Sequence, residues 1–224
     1  VKILTPDSPE AIELLRHTTA HVLAQAVQRL FPDAKIAIGP TIADGFYYDF
    51  DIPGHALSTE DLTQIEAEMK KIVSENQKLV RFNIPDVDQQ LAEFKNQGEK
   101  FKAELLTEHR DHNPTLYLMQ DKEGKTVWND FCRGPHLPST GKIKAFKLLK
   151  VSGAYWRGDE KREQLQRIYA TAWWSKEDQE AYLHRLEEAE KRDHRKLSKQ
   201  LDLFSTHEEV GPGLIFWHPN LATV

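Results

Sequence analysis

His17 and His21 stand four residues apart in Arg16-His17-Thr18-Thr19-Ala20-His21. A second pair, Cys132 and His136, repeats that spacing in Asp130-Phe131-Cys132-Arg133-Gly134-Pro135-His136. Residues four apart on a helix lie one turn apart on one face. The Cys132/His136 stretch, with Gly134-Pro135 inside it, reads as a loop. Two such pairs converging on one cavity can hold zinc, as nitrogen and sulfur ligands in tetrahedral range. They can also orient a water and a substrate by hydrogen bonding, with no metal. Unrelated core and surface residues would show the same spacing, so all three readings stay open on spacing alone. Lys102, among Phe101, Ala103 and Leu105, is either a surface lysine or a cation facing the pocket. Asp130 is either a turn former or a pocket acid. Tyr47 and Tyr48 alternate across a strand, so one belongs to the core and the other to a surface.

These side chains need elements to position them. Ser8 suits an N-cap, Pro9 the first helical position and Glu10 the positive first turn. Ile12, Leu15, Thr19, Val22, Ala26 and Leu30 then mark the core stripe of a helix ending near Phe31-Pro32. His17 and His21 point roughly away from that stripe. Lys35 to Pro40 and Gly45 to Phe50 read as strands. Ser58 with Asp61 is a capping-box pattern opening a helix with Leu62, Ile65 and Met69 on one face. Leu79 to Ile84 alternates as a strand, Pro85-Asp86 opens a short helix that stops at Gly98, and Glu99 to Leu106 suits a helix carrying Lys102. Leu116 to Met119 and Thr126 to Trp128 form a hairpin that runs into the Cys132 loop. A second hairpin spans Phe146 to Trp156 and Gln164 to Trp174. From Ser175 a highly charged helix with a thin apolar edge follows, the kind that bridges two bodies.

Composition narrows the class. The 224 residues are 39% hydrophobic and 29% charged, which suits one large or two small globular domains. A formal charge of −5 argues against a general polyanion binder but leaves room for a local basic surface. Basic residues gather in 142–150 and 191–196, as solvated faces or as phosphate contacts without base specificity. One cysteine excludes an internal disulfide framework and fits a reducing compartment. No apolar run approaches the roughly 20 residues that span a bilayer, and no charged-then-apolar leader opens the chain, so a cytoplasmic location is expected. No P-loop, dinucleotide fingerprint or Ser-His-Asp pattern is present.

His17-Thr18-Thr19-Ala20-His21, Ile38-Gly39-Pro40, Gly45-Phe46-Tyr47-Tyr48-Asp49, Cys132-Arg133-Gly134-Pro135-His136, Gly153 to Asp159 and Arg192 to Lys196 occur in that order. Together they closely resemble bacterial-type threonyl-tRNA synthetase, in the portion before its class II catalytic core. The resemblance implies an α+β fold, mixed helices and antiparallel sheet, forming an editing domain followed by a long linker helix. It implies 1–6 as the end of an upstream ubiquitin-like domain or a tether, 7–174 as the editing domain, 175–203 as the linker helix, and 204–224 as the start of the class II core. Leu221 departs from the family, where glycine is expected.

The activity so implied is hydrolysis of seryl-tRNA(Thr) at its 3′-terminal ester. A synthetic site that accepts threonine also accepts serine, because one methylene discriminates by only about 1–3 kcal/mol, and a smaller second site corrects the error. By resemblance, His17 and Lys102 hold or activate the water. His21, Cys132 and His136 grip the seryl group, with Asp130 and Tyr48 beside them. No cofactor is expected for editing. The related alanyl editing enzymes hold zinc with such residues, making His17, His21, Cys132 and His136 the less favoured zinc set, and a free Lys102 would repel the ion. ATP belongs only to the catalytic core, which would follow Val224. The implied partner is the 3′ acceptor end of tRNA(Thr), with no membrane, and the parent enzyme would be a homodimer through that core. A piece of a longer synthetase and a free-standing editing factor fit equally. A non-catalytic tRNA-docking module is the rival reading.

Overall fold

The computed structural model describes residues 5, 6, 8–206, 211 and 214–222. Of the domain end or tether expected over 1–6, only residues 5 and 6 are described, and 207–210, 212, 213, 223 and 224 of the expected core entry lie outside the described residues. Two units divide the chain, Val1–Lys176 and Glu177–Val224, and each is described by itself.

The first unit is built around α1, Pro9–Leu30. Short strands β1 (Lys35–Ile36) and β2 (Thr41–Ile42) lead into β3 (Gly45–Asp51). Then come α2 (Thr59–Glu75), β4 (Lys78–Asn83), α3 (Val87–Asn96) and α4 (Lys100–Glu108). The hairpin of β5 (Thr115–Gln120) and β6 (Thr126–Phe131) follows, then that of β7 (Ala145–Tyr155) and β8 (Gln164–Trp173). One sheet has the order β1-β3-β8-β7 with β2 also paired to β3, and a second runs β4-β5-β6. Every pairing is antiparallel. Helices beside antiparallel sheets make an α+β fold, as expected.

α1 differs from the one-sided helix that its stripe suggests. Every residue from Thr18 to Val27 is buried, His21 and Gln25 included. The small side chains Ala20 and Ala24 let neighbours approach closely on faces that a stripe leaves to water. Thr18 and Thr19 are accommodated because their hydroxyls donate to the carbonyls of Leu14 and Leu15. Ser8 is the N-cap residue but makes no side-chain cap bond, unlike Ser58, whose capping box with Asp61 is complete. The main core joins α1 to Phe46, Tyr48 and Phe50 of β3, Ile65, Met69 and Ile72 of α2, and Ile168 of β8.

A smaller cluster of Leu91, Phe94, Ala103, Leu106 and Leu116 fixes α3 and α4 to β5. Gly98, at φ +71°, makes the left-handed turn between the two helices. α4 buries Phe101, Lys102, Ala103 and Leu106 together, so Lys102 is directed inward by its apolar neighbours.

In the second unit the helical stretch expected over 175–203 is divided into α5 (Lys176–Lys191) and α6 (His194–Gln200), with Arg192 and Asp193 between them. β9 (Phe204–Thr206) pairs with β10 (Ile215–Trp217), and α7 (Pro219–Ala222) closes the described chain. Although no Ser-His-Asp pattern was legible, His218 bonds Asp202 through Nδ1 at 2.6 Å and Ser205 through Nε2 at 2.8 Å. Its backbone N–H also donates to Leu203, so the imidazole ties the hairpin to the turn before it.

Candidate active site

α1, β3, α4, β6 and the loop after it bring His17, His21, Tyr48, Lys102, Asp130 and Cys132 around one cavity of about 300 Å³, lined also by Gly39 and Pro40. His136 completes the cluster from the same loop as Cys132. His17 Nε2 lies 3.0 Å from Cys132 Sγ, and Cys132 Sγ lies 3.4 Å from His136 Nε2. The His136 ring stacks on His17 at 4.3 Å and meets His21 at 4.2 Å. The loop holds this shape through reciprocal contacts with β5. Cys132 N–H donates to the Thr115 carbonyl, and Thr115 Oγ1 donates to the Cys132 carbonyl. Gly134, at φ +67°, packs so closely on Tyr117 that a Cβ there would strike the phenol ring. Gly39 meets the Tyr48 ring in the same way.

Behind the histidines is a buried ionic layer. Lys102 Nζ pairs with Asp130 Oδ1 and donates to Tyr48 Oη at 3.0 Å. Tyr48 Oη donates to Asp130 Oδ2 at 2.7 Å, and His21 Nε2 stands 3.5 Å from that same oxygen. Lys102 is therefore neither the surface lysine of the bland reading nor a free cation. Its charge is offset by Asp130, so the repulsion expected from the sequence does not decide against a metal.

Burial governs protonation here. Desolvation lowers His17 below its ordinary value, with Asp130 opposing. It lowers His21 well below, helped by His17 and Lys102. His136 is lowered too, by burial and then by His21 and His17. Burial and Asp130 push the Cys132 thiol up to about 12. At neutral pH the cluster is three neutral imidazoles and a protonated thiol, able to accept a proton but carrying no thiolate nucleophile.

The same four residues fit a metal. Their nearest donor atoms all lie within 4.8 Å of one another. Zinc at roughly 2.0–2.3 Å from N and S ligands would need only small adjustments. Zinc there would supply Lewis-acid chemistry, and it would deprotonate Cys132.

Several residues escaped the sequence reading. Thr18 Oγ1 lies 3.3 Å from His136 Nδ1 and accepts from Leu137 N–H at 2.9 Å. It stands beside His17 in the motif, and only its spacing from His21 hid it. Tyr117 packs on His136 at 4.3 Å. Trp128 and Gln28 lead to Glu99 behind Lys102, where a cavity of about 250 Å³ lies. Basic residues singled out beforehand are partly engaged: Lys147 pairs with Glu66, Lys191 and Arg192 with Glu188, and Lys196 with Glu190.

An α+β unit whose Cys/His loop closes on a histidine helix points to one class of domain. Residues 115–169, which include that loop, match the family described as threonyl and alanyl tRNA synthetase second additional domain. Over nearly its whole length the chain is similar to threonine–tRNA ligases. It is 55% identical to that of Polynucleobacter asymbioticus over 97% of this chain and 33% of the relative. It is 52% identical to that of Citrifermentans bemidjiense over 98% and 33%, and 53% identical to that of Teredinibacter turnerae over 98% and 33%. The chain is thus a homologue of threonyl-tRNA synthetase, and it spans about a third of the length of the relatives it matches. Among the described residues no helix is long and apolar enough to cross a membrane.

Proposed function

We propose that this chain is the proofreading portion of a threonyl-tRNA synthetase and hydrolyses the ester of mischarged Ser-tRNA(Thr). Convergence of His17, His21, Cys132 and His136, the first three lining one cavity, carries the reading. The proposal takes 7–174 as the editing domain, 175–203 as the linker and 204–224 as the entry to the ligase core. Threonine ligation, its ATP and the homodimer contacts belong to the rest of such an enzyme, which works in the cytoplasm.

In this mechanism water sits against His17, whose neutral ring accepts its proton as the oxygen attacks the seryl carbonyl. Asp130 favours the imidazolium that forms. Lys102 has three N–H donors, and Asp130 and Tyr48 engage two of them. The third serves the water or the oxyanion at the cavity wall. His21, Cys132 and His136 hold the serine hydroxyl and amine, with Tyr48 and Asp130 fixing the layer behind. His17 then returns the proton to the departing ribose oxygen, leaving serine and tRNA. In this mechanism the extra methyl of threonine is what the pocket selects against, and a methylene is worth about 1–3 kcal/mol.

The test is ester loss from Ser-tRNA(Thr) and Thr-tRNA(Thr). Serine is expected to leave about 10-fold faster or more. Equal rates sink the reading. His17→Ala is expected to keep tRNA affinity and lose hydrolysis, whereas a docking module has no hydrolysis to lose.

A further inference from the structure

A cavity of about 500 Å³ is lined by Arg81, His112, Asn113, Thr115, Arg133 and Gly134, with Arg133 and Gly134 following Cys132 of the histidine pocket directly in the chain. We infer that this cleft is a phosphate clamp. Arg81 and Arg133 grip the backbone of the single-stranded RNA 3′ end whose terminal ester enters the histidine pocket. The inference rests on the editing reading and extends it to residues outside the His/Cys cluster.

The placement follows from strand register. Arg81 of β4 lies directly across from Tyr117 of β5, and Tyr117 directly across from Asp130 of β6. Residues directly opposite share a face, so this row runs from the pocket's buried acid to an arginine at the rim. With strands about 4.7–4.9 Å apart, the row spans roughly two strand spacings. Arg133 follows Cys132 directly, and Thr115 bonds the Cys132 backbone on both sides. One rigid loop therefore sets the thiol in the pocket and the guanidinium in the cleft.

Charge selects the route. The cavity on the other side of Gly134 is lined by Glu10 and Glu13, which repel a phosphodiester. The Arg81 cleft is lined by no carboxylate. Arg81 and Arg133 are exposed, and neither has an acidic partner among the described residues, in contrast to Lys147, Lys191 and Lys196. Guanidinium groups free of carboxylates, bordering a site for an ester, match phosphate oxygens by fork geometry. Sequence alone hid this because 133 and 81 are far apart and neither lies in a basic run.

The experiment measures binding of a short fluorescent RNA ending in C-C-A to the chain, by anisotropy over a salt series. Arg81→Gln and Arg133→Gln are each expected to weaken binding about 3–10-fold and to lower the log–log salt slope by about 0.7 unit per lost phosphate contact. Lys at either position should restore most of the affinity. Lys122→Ala, on the exposed β5–β6 turn, should leave affinity as it is. Unchanged affinity and slope in both glutamine variants overturn the clamp, as does an equal loss in Lys122→Ala. If the clamp fails while wild type still hydrolyses Ser-tRNA(Thr), the editing reading stands alone. If RNA binding needs the arginines but no ester is hydrolysed, the clamp stands and editing falls.

Discussion

Lys102 and Asp130 form an ion pair in which each residue is only 3% exposed, and the Tyr48 hydroxyl bridges the two. A lone buried charge is costly, whereas a paired and hydrogen-bonded one is tolerated. The pair therefore acts as a unit, and its energetics should be non-additive.

Lys102→Met and Asp130→Asn should each destabilise the chain by about 3–5 kcal/mol, because each strands its partner in a dry interior. The double variant should lose clearly less than the sum. Denaturant unfolding of the four forms gives the coupling directly. Additive losses would mean that the two charges do not see each other.

Hydrolysis should stay on its plateau as pH falls from 8 to about 6.5 and decline only on further acidification. An unperturbed histidine base would already be half protonated near 6.5. Burial lowers His17, so its ring stays neutral further into the acid range. A rate profile on Ser-tRNA(Thr), corrected for spontaneous ester loss, reads this. A midpoint above 6.5 would contradict a desolvated base.

Stability should follow the same groups. His17, His21 and His136 all hold their protons more weakly when folded than when unfolded. Below about pH 6.5 the unfolded chain binds protons that the folded chain refuses. The three rings thus contribute stability that is complete above that pH and lost on acidification. Tm is expected to fall from pH 7 to pH 5, and His21→Gln should flatten the fall. A Tm flat across that window would mean that the rings are solvated.

Much of this arrangement was legible beforehand, and the gaps have physical causes. Helix period, the Ser58/Asp61 box, the Gly98 stop and the two hairpins depend on neighbours in sequence, and these emerged where expected. HxxxH and CxxxH spacing also allowed Cys132 and His136 to answer His17 and His21, and the family resemblance implied that they do. Tertiary contact decided the rest. Ala20 and Ala24 let α1 be enclosed on all sides, which a stripe cannot show. Lys102 goes inward because Phe101 and Leu106 anchor its helix. Arg81 reaches the site only through the register of three strands, and no local pattern encodes register across a sheet.

The last prediction concerns the metal, and the Lys102–Asp130 pair changes its grounds. With the lysine charge offset, repulsion no longer argues for a metal-free site. The lysine's spare donor does. Lys102, engaged by Asp130 and Tyr48, retains a third N–H for the oxyanion, the stabilisation that a metal would otherwise supply. Purified protein is therefore expected to hold no stoichiometric zinc and to keep its deacylase rate after chelation and dialysis. His17→Ala and Lys102→Ala should cost about 10²–10⁴-fold in rate, the range for a lost acid–base group, and Cys132→Ala much less. A zinc site would bring Cys132→Ala level with His17→Ala, because each would remove a ligand and metal affinity together. Metal analysis of wild type beside the three rates separates the cases. Activity lost on chelation and restored by zinc would make all four residues ligands.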